Sequence, residues 1–121
     1  MSKHPIVHVE FSAKDIGAAA KFYGELFGWK TEHLPEMNYT TFDTGSELGG
    51  GFNPISDQVK TGDVFVYVGT DDIETSLAKA ESLGGKMVIP KTEIPNVGWF
   101  AFFTDPTGNM VGLLSGMGEQ G

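Results

Sequence analysis

HVEFSAKDIGAAAKFYGELFGWK (His8–Lys30) and FVYVGTDDIETSLAKAESLGGKM (Phe65–Met87) superpose without a gap at an offset of 57 residues, Phe65 falling on His8. The offset brings Asp15-Ile16 onto Asp72-Ile73, Leu26 onto Leu83 and Gly28 onto Gly85. A fixed internal period of this kind marks a repeated supersecondary unit. Val7, Val9 and Phe11 alternate with His8, Glu10 and Ser12, the period of a strand with two chemically different faces. Asp15 then offers a helix N-cap, and Ile16, Ala19, Ala20, Phe22, Tyr23, Leu26 and Phe27 form the apolar stripe of an amphipathic helix. Gly28 can take the left-handed C-cap. The second copy repeats the pattern with Asp72, Ile73, Leu77, Ala80, Leu83 and Gly84-Gly85.

β-like segments follow each helix: WKTEHL, NYTTFDT and GGGFNPI in the first half, KMVIPKTEI, GWFAFFTD and NMVGLLS in the second. DPTGN (105–109) predicts a tight turn and a hairpin, with Pro fixing φ and Gly accepting positive φ. TGSELGG is its looser counterpart, and the polar SDQVKTGD links the halves. The chain therefore reads as βαβββ twice. The expected fold class is α+β, two tandem βαβββ modules forming a curved mixed β-sheet, within a single domain over 1–121, with module 1 at about 5–57 and module 2 at about 62–115.

The 121 residues are about one domain's length and suffice to bury roughly two-thirds of the unfolded surface. A hydrophobic fraction of 40% and a charged fraction of 20% describe an ordinary globular chain. With no cysteine there is no disulfide, thiolate metal site or cysteine nucleophile. A net charge of -8 argues against sequence-independent binding to nucleic acid or anionic membranes. It suits a cationic ligand, or simply solubility. MSKHPIV has no long apolar signal region and no apolar run approaches a membrane span, so the expected location is the cytoplasm.

The repeat opening with VHVEF, continuing AAAKFYGELFGW and closing with GWFAFFTDPTGNMVGLL resembles the vicinal oxygen chelate superfamily, which includes glyoxalase I, bleomycin resistance proteins and extradiol dioxygenases. The resemblance covers about Pro5 to Ser115. It implies a homodimer and, in metal-dependent members, four ligands on a concave sheet face, one on the first and one on the last strand of each module. Carried onto this sequence, the first position falls on His8. The others fall on Phe65, with Asp63 as a shifted alternative, at or beside Gly50, and on Gly112. His8 is thus the single matched metal position, and a divalent ion needs three or four donors. No cofactor is expected, and a divalent metal is the alternative.

The function expected is that of a glyoxalase/bleomycin resistance/dioxygenase-like protein binding a small aromatic or cationic molecule in a cupped pocket without an intact metal site. His8 and Glu10 would meet its polar end, beside Phe65 and Tyr67, with Trp99 as a rim residue corresponding roughly to Tyr39. WFAFF puts Trp99, Ala101 and Phe103 on one face and Phe100 and Phe102 on the other, and the sequence leaves open which face lines the cup. The rival reading is an enzyme of lyase, isomerase or dioxygenase type. It would use a metal completed by Glu10, Asp63 or a dimer mate, or, without metal, Glu10 as general base. A third reading is a purely structural domain with no pocket. Gly49-Gly50-Gly51 lacks the Lys-Ser/Thr and following helix of a phosphate loop and reads as a bulge or close backbone approach. His4 and His33 receive no role, and no nucleophile elbow is present.

Overall fold

The structure is a computed structural model that describes residues 4–57 and 59–116. Its elements follow the repeat: β1 (Ile6–Ala13), α1 (Ile16–Phe27), β2 (Lys30–Leu34), a 3-10 turn (Pro35–Met37), β3 (Tyr39–Asp43) and β4 (Gly49–Pro54), then β5 (Val64–Gly69), α2 (Ile73–Ser82), β6 (Lys86–Ile94), β7 (Gly98–Thr104) and β8 (Met110–Gly116). The fold is α+β. The chain forms two compact units, one spanning His8–Phe65 and the other combining Val66 onward with the start of the chain up to Val7.

Both helices begin as the sequence predicts. The Asp15 carboxylate accepts the Ala18 N–H at 3.0 Å, and the Asp72 carboxylate accepts the Thr75 N–H at 3.1 Å. Gly28 ends α1 in the left-handed region at φ 75°, donating its N–H to the Gly24 carbonyl. α2 stops two residues earlier relative to the repeat, and Gly84 takes φ 102°. Only glycine adopts such angles without steric cost.

In the first unit the strands run in the order β2-β3-β4-β1, with β2/β3 and β3/β4 antiparallel and β1/β4 parallel. The second unit repeats the order as β6-β7-β8-β5, with β5/β8 parallel and the other pairs antiparallel. The parallel pair requires the crossover that each helix supplies. Pro90 lies within the second register shift of the β6/β7 ladder, between Ile89 and Thr92, where its missing N–H does least harm. Asp105 organises the β7–β8 turn: one carboxylate oxygen accepts the N–H groups of Thr107 and Asn109, each at 2.9 Å. The Asn109 side-chain amide, donating to the other carboxylate oxygen at 2.9 Å, together with these backbone bonds and the Thr107 hydroxyl, holds the carboxyl well below the usual carboxylate range.

Each sheet covers one face with its helix. Against α2 lie Ala101 and Leu113, buried with Ile73 and Leu77, while Val68, Trp99 and Phe103 pack around them. Against α1 the filling is aromatic. Tyr23 stacks on Trp29 at 5.2 Å and on Phe52 at 5.7 Å, Trp29 stacks on Phe42 at 4.7 Å, and Phe11 closes the cluster. Phe52, 1% exposed, is its centre. Aromatic pairs at these separations add about 0.5–1.5 kcal/mol each beyond burial of their area.

Candidate functional site: the uncovered face of the first module

Strand alternation decides which side chains meet. β1 sends Phe11 towards α1, so His8 and Glu10 project from the opposite face. The register of β1 with β4 pairs His8 with Gly49 and Glu10 with Gly51, and β3 pairs Thr41 with Gly51. His8, Glu10, Tyr39, Thr41 and Gly51 therefore share one face. On it His8 Nε2 and the Tyr39 hydroxyl are hydrogen-bonded at 2.7 Å, and their rings stack with centroids 6.3 Å apart. Burial pushes the His8 imidazole below its ordinary pKa of 6.5, so it is neutral at pH 7. Glu10 beside it is 4% exposed.

The glycine is there because the tyrosine is. A Cβ built on Gly51 would run into the ring and hydroxyl of Tyr39, so only glycine lets that ring lie on the strand. The last-strand ligand position falls at or beside Gly50; a Cβ on Gly50 itself would meet Phe42 in the helix-covered layer. The residue on the His8 face is Gly51. In the second module the counterpart glycine is covered from a different strand: Tyr67, at the position of Glu10, pairs with Gly112, and a Cβ on Gly112 would meet Tyr67 Cδ2 at 2.5 Å.

The β7/β8 register also corrects the placement of Trp99. Phe102 pairs with Gly112 as Thr41 pairs with Gly51, so the counterpart of Tyr39 is Phe100, one residue further along. A one-residue difference in register exchanges the two faces of a strand. Trp99 accordingly packs in the α2 layer, with Lys91 Nζ 4.9 Å from its ring centroid. Phe102 lies edge-on to Tyr67 at 5.2 Å on the opposite face, with Phe100 beside it. Phe65, the counterpart of His8, is buried at 8% exposure. The ligand-binding residues named from the sequence thus divide: His8 and Glu10 share one face, Tyr67 shares its own with Phe100 and Phe102, and Trp99 stands apart beneath a helix. Tyr39 is the partner that sequence reasoning missed. NYTTFDT shows the alternation of a strand but not the register that carries Tyr39 to His8.

Asp63, the shifted alternative ligand, is engaged in its own loop. Its carboxylate accepts the Lys60 N–H at 3.0 Å, and its carbonyl accepts the Ser12 N–H at 3.1 Å. Among the described residues no three His, Asp or Glu side chains converge to hold a metal ion. The residues at the expected ligand positions do not fit one: His8 faces a tyrosine hydroxyl, and glycines stand where carboxylates would be needed.

Two clefts open on the first unit away from His8. The larger, about 880 Å³, is lined by Lys14, Asp15, His33, Asn38 and Thr40 among others, and His33 Nδ1 is hydrogen-bonded to Thr40 Oγ1 at 2.8 Å. The smaller, about 450 Å³, lies between Tyr23, Phe52 and the 61–64 segment. Neither includes His8 or Glu10. No described helix is long and apolar enough to cross a membrane.

The family model of the glyoxalase/bleomycin resistance protein/dioxygenase superfamily matches residues 5–113. CFP32 of Mycobacterium tuberculosis is 30% identical over 112 residues, which cover 87% of this chain and 43% of that protein. The anthracycline biosynthesis protein DnrV of Streptomyces peucetius is 27% identical over 116 residues, covering 82% of this chain and 42% of that one. The chain thus spans less than half the length of these two relatives. In backbone it is similar to methylmalonyl-CoA epimerase from M. tuberculosis, with a TM-score of 0.71 at 14% identity, covering 92% of this chain and 87% of the other. The tandem βαβββ architecture, the two crossover helices and the family match over nearly the whole length agree: the chain belongs to the glyoxalase/bleomycin resistance protein/dioxygenase superfamily.

Proposed function

We propose that the protein binds a small organic molecule, aromatic or cationic, on the uncovered face of its first module, and does so without a divalent metal. The observation that carries this reading is the His8–Tyr39 hydrogen bond over Gly51. It replaces a chelating set with a neutral polar pair flanked by a flat ring and a buried carboxylate. A neutral imidazole and a phenol recognise hydroxyl or carbonyl groups, the ring offers a stacking surface, and Glu10 favours a positively charged group. The name of DnrV, which refers to anthracyclines, compounds with fused aromatic rings, is consistent with the aromatic choice. The same reading takes the chain as a cytoplasmic homodimer with neither nucleic acid nor membrane as partner.

Titration of planar aromatic and cationic compounds against wild type and His8→Ala, followed by calorimetry, tests it. Affinity is expected to drop about tenfold in the variant, the value of one good polar contact. Equal affinity removes His8 from the binding face.

The rival enzymatic reading draws on Glu10, buried on the same face as His8 and placed to accept a proton from a bound substrate. The glyoxylase name carried by CFP32 favours it. Stoichiometric metal retained through mild purification would turn the assignment towards metal-assisted chemistry.

A further inference from the structure

We propose that Tyr39 is the residue that denies this face to a metal ion, its ring filling the space a side chain at position 51 would need and its hydroxyl engaging the imidazole of His8. The inference rests on the metal-free reading above and names the group responsible for it.

Three observations on separate residues support it. The register pairs Glu10 with Gly51 and places His8 one pleat away, so a carboxylate at position 51 would join one histidine and one glutamate already facing the same way. Three such donors are the minimum for an open divalent site. The three heavy atoms nearest a Cβ there all belong to Tyr39, its hydroxyl oxygen and two ring carbons. The nitrogen such an ion would need, His8 Nε2, is the one bonded to the Tyr39 hydroxyl at 2.7 Å. One side chain therefore blocks two ligand positions at once. In the second module the equivalent glycine, Gly112, also lies under a tyrosine ring, that of Tyr67, which reaches it from the first strand of the module rather than from the counterpart of β3.

The test compares wild type, Gly51→Glu, Tyr39→Phe/Gly51→Glu and Tyr39→Ala/Gly51→Glu in calorimetric titrations with Zn²⁺ and Ni²⁺, with thermal unfolding as the check on folding. Only Tyr39→Ala/Gly51→Glu is expected to take up one ion per chain, at least tenfold tighter than the others, because Phe keeps the ring in place. A folded Tyr39→Ala/Gly51→Glu no tighter than wild type overturns the inference and leaves the metal-free reading intact. Uptake by Gly51→Glu equal to that of the double variant overturns it as well. Stoichiometric uptake by wild type overturns both. Where Tyr39→Ala/Gly51→Glu does not fold, Tyr39→Ala/Gly51→Asp serves with its shorter carboxylate: Zn²⁺ should shift the His8 imidazole resonances in it and not in wild type, and identical responses overturn the inference.

Discussion

In the first module Ala20 and Tyr23 stand where the second has Leu77 and Ala80, so the large and small positions of the helix stripe are exchanged. The consequence runs through each unit. α2 buries Ile73 and Leu77 directly against Ala101 and Leu113. α1 buries no residue completely; it extends one Tyr ring into a stack with Trp29 and Phe52 and leaves Phe22, Leu26 and Phe27 more than half exposed. The faces away from the helices differ in the same direction: polar with His8 and Glu10 in one module, aromatic with Tyr67, Phe100 and Phe102 in the other. The N-caps and the order and direction of the strands are what the repeat holds constant, because they fix the backbone. Side-chain volume and polarity vary around that frame.

Equivalent isoleucines should separate most clearly. Ile73 is fully buried, and Ile73→Ala is expected to cost about 2–5 kcal/mol in urea unfolding, the range for deleting a packed aliphatic side chain. Ile16, its counterpart in the repeat, is half-buried, and Ile16→Ala should cost about 1 kcal/mol. Equal losses would mean that the two helices are packed alike after all. The caps supply the opposite expectation: Asp15→Ala and Asp72→Ala should lower stability equally, because both carboxylates make the same bond to the helix backbone. Unequal values would show that the modules differ in backbone as well as in packing.

The polar face of the first module adds a pH dependence. The folded-state pKa of His8 lies below 6.5 because burial disfavours the imidazolium. The folded chain therefore binds fewer protons than the unfolded one in the window beneath pH 6.5. The contribution is fully present above that value and is lost as pH falls through the folded-state pKa. The unfolding midpoint should decline with acid in wild type, and less steeply in His8→Gln. Tyr39→Phe, which removes the hydroxyl from His8 Nε2, should cost about 0.5–1.5 kcal/mol at pH 7.5. A wild-type slope unchanged by His8→Gln would place the titrating group elsewhere.

The backbone was legible in the sequence to a degree that the site was not. The offset between His8–Lys30 and Phe65–Met87 is carried by residues whose roles are local: Asp15 and Asp72 cap the turn that follows them, and a glycine near each helix end, Gly28 in one copy and Gly84 in the other, accepts an angle other residues avoid. Local chemistry of that kind is written in neighbouring letters. The site depends instead on pairing between strands distant in the chain. Trp99 corresponds to Tyr39 only roughly: the register makes Phe100 the counterpart, and that single residue decides whether a ring packs beneath the helix or on the opposite face. Of the position at or beside Gly50, the register selects Gly51 for the face of His8. That Tyr39 meets His8, 31 residues away, follows only once β1, β3 and β4 are in register.

The smallest expected effect tests whether α1 stands as exposed as the comparison requires. Lys21 Nζ and a Glu25 carboxylate oxygen are 2.7 Å apart, one turn apart on the helix, with side chains 75% and 69% exposed. So exposed a pair is screened by water and salt, and its order, Lys before Glu, opposes the helix dipole. Lys21→Ala/Glu25→Ala double-mutant cycles should therefore give a coupling of about 0.3 kcal/mol, falling towards zero in 1 M NaCl. A coupling several times larger that persists in salt would mean that this surface of α1 is covered in solution. The exposure of Phe22, Leu26 and Phe27 would then describe the isolated chain, and the packing difference between the two helices would be smaller than their side chains suggest.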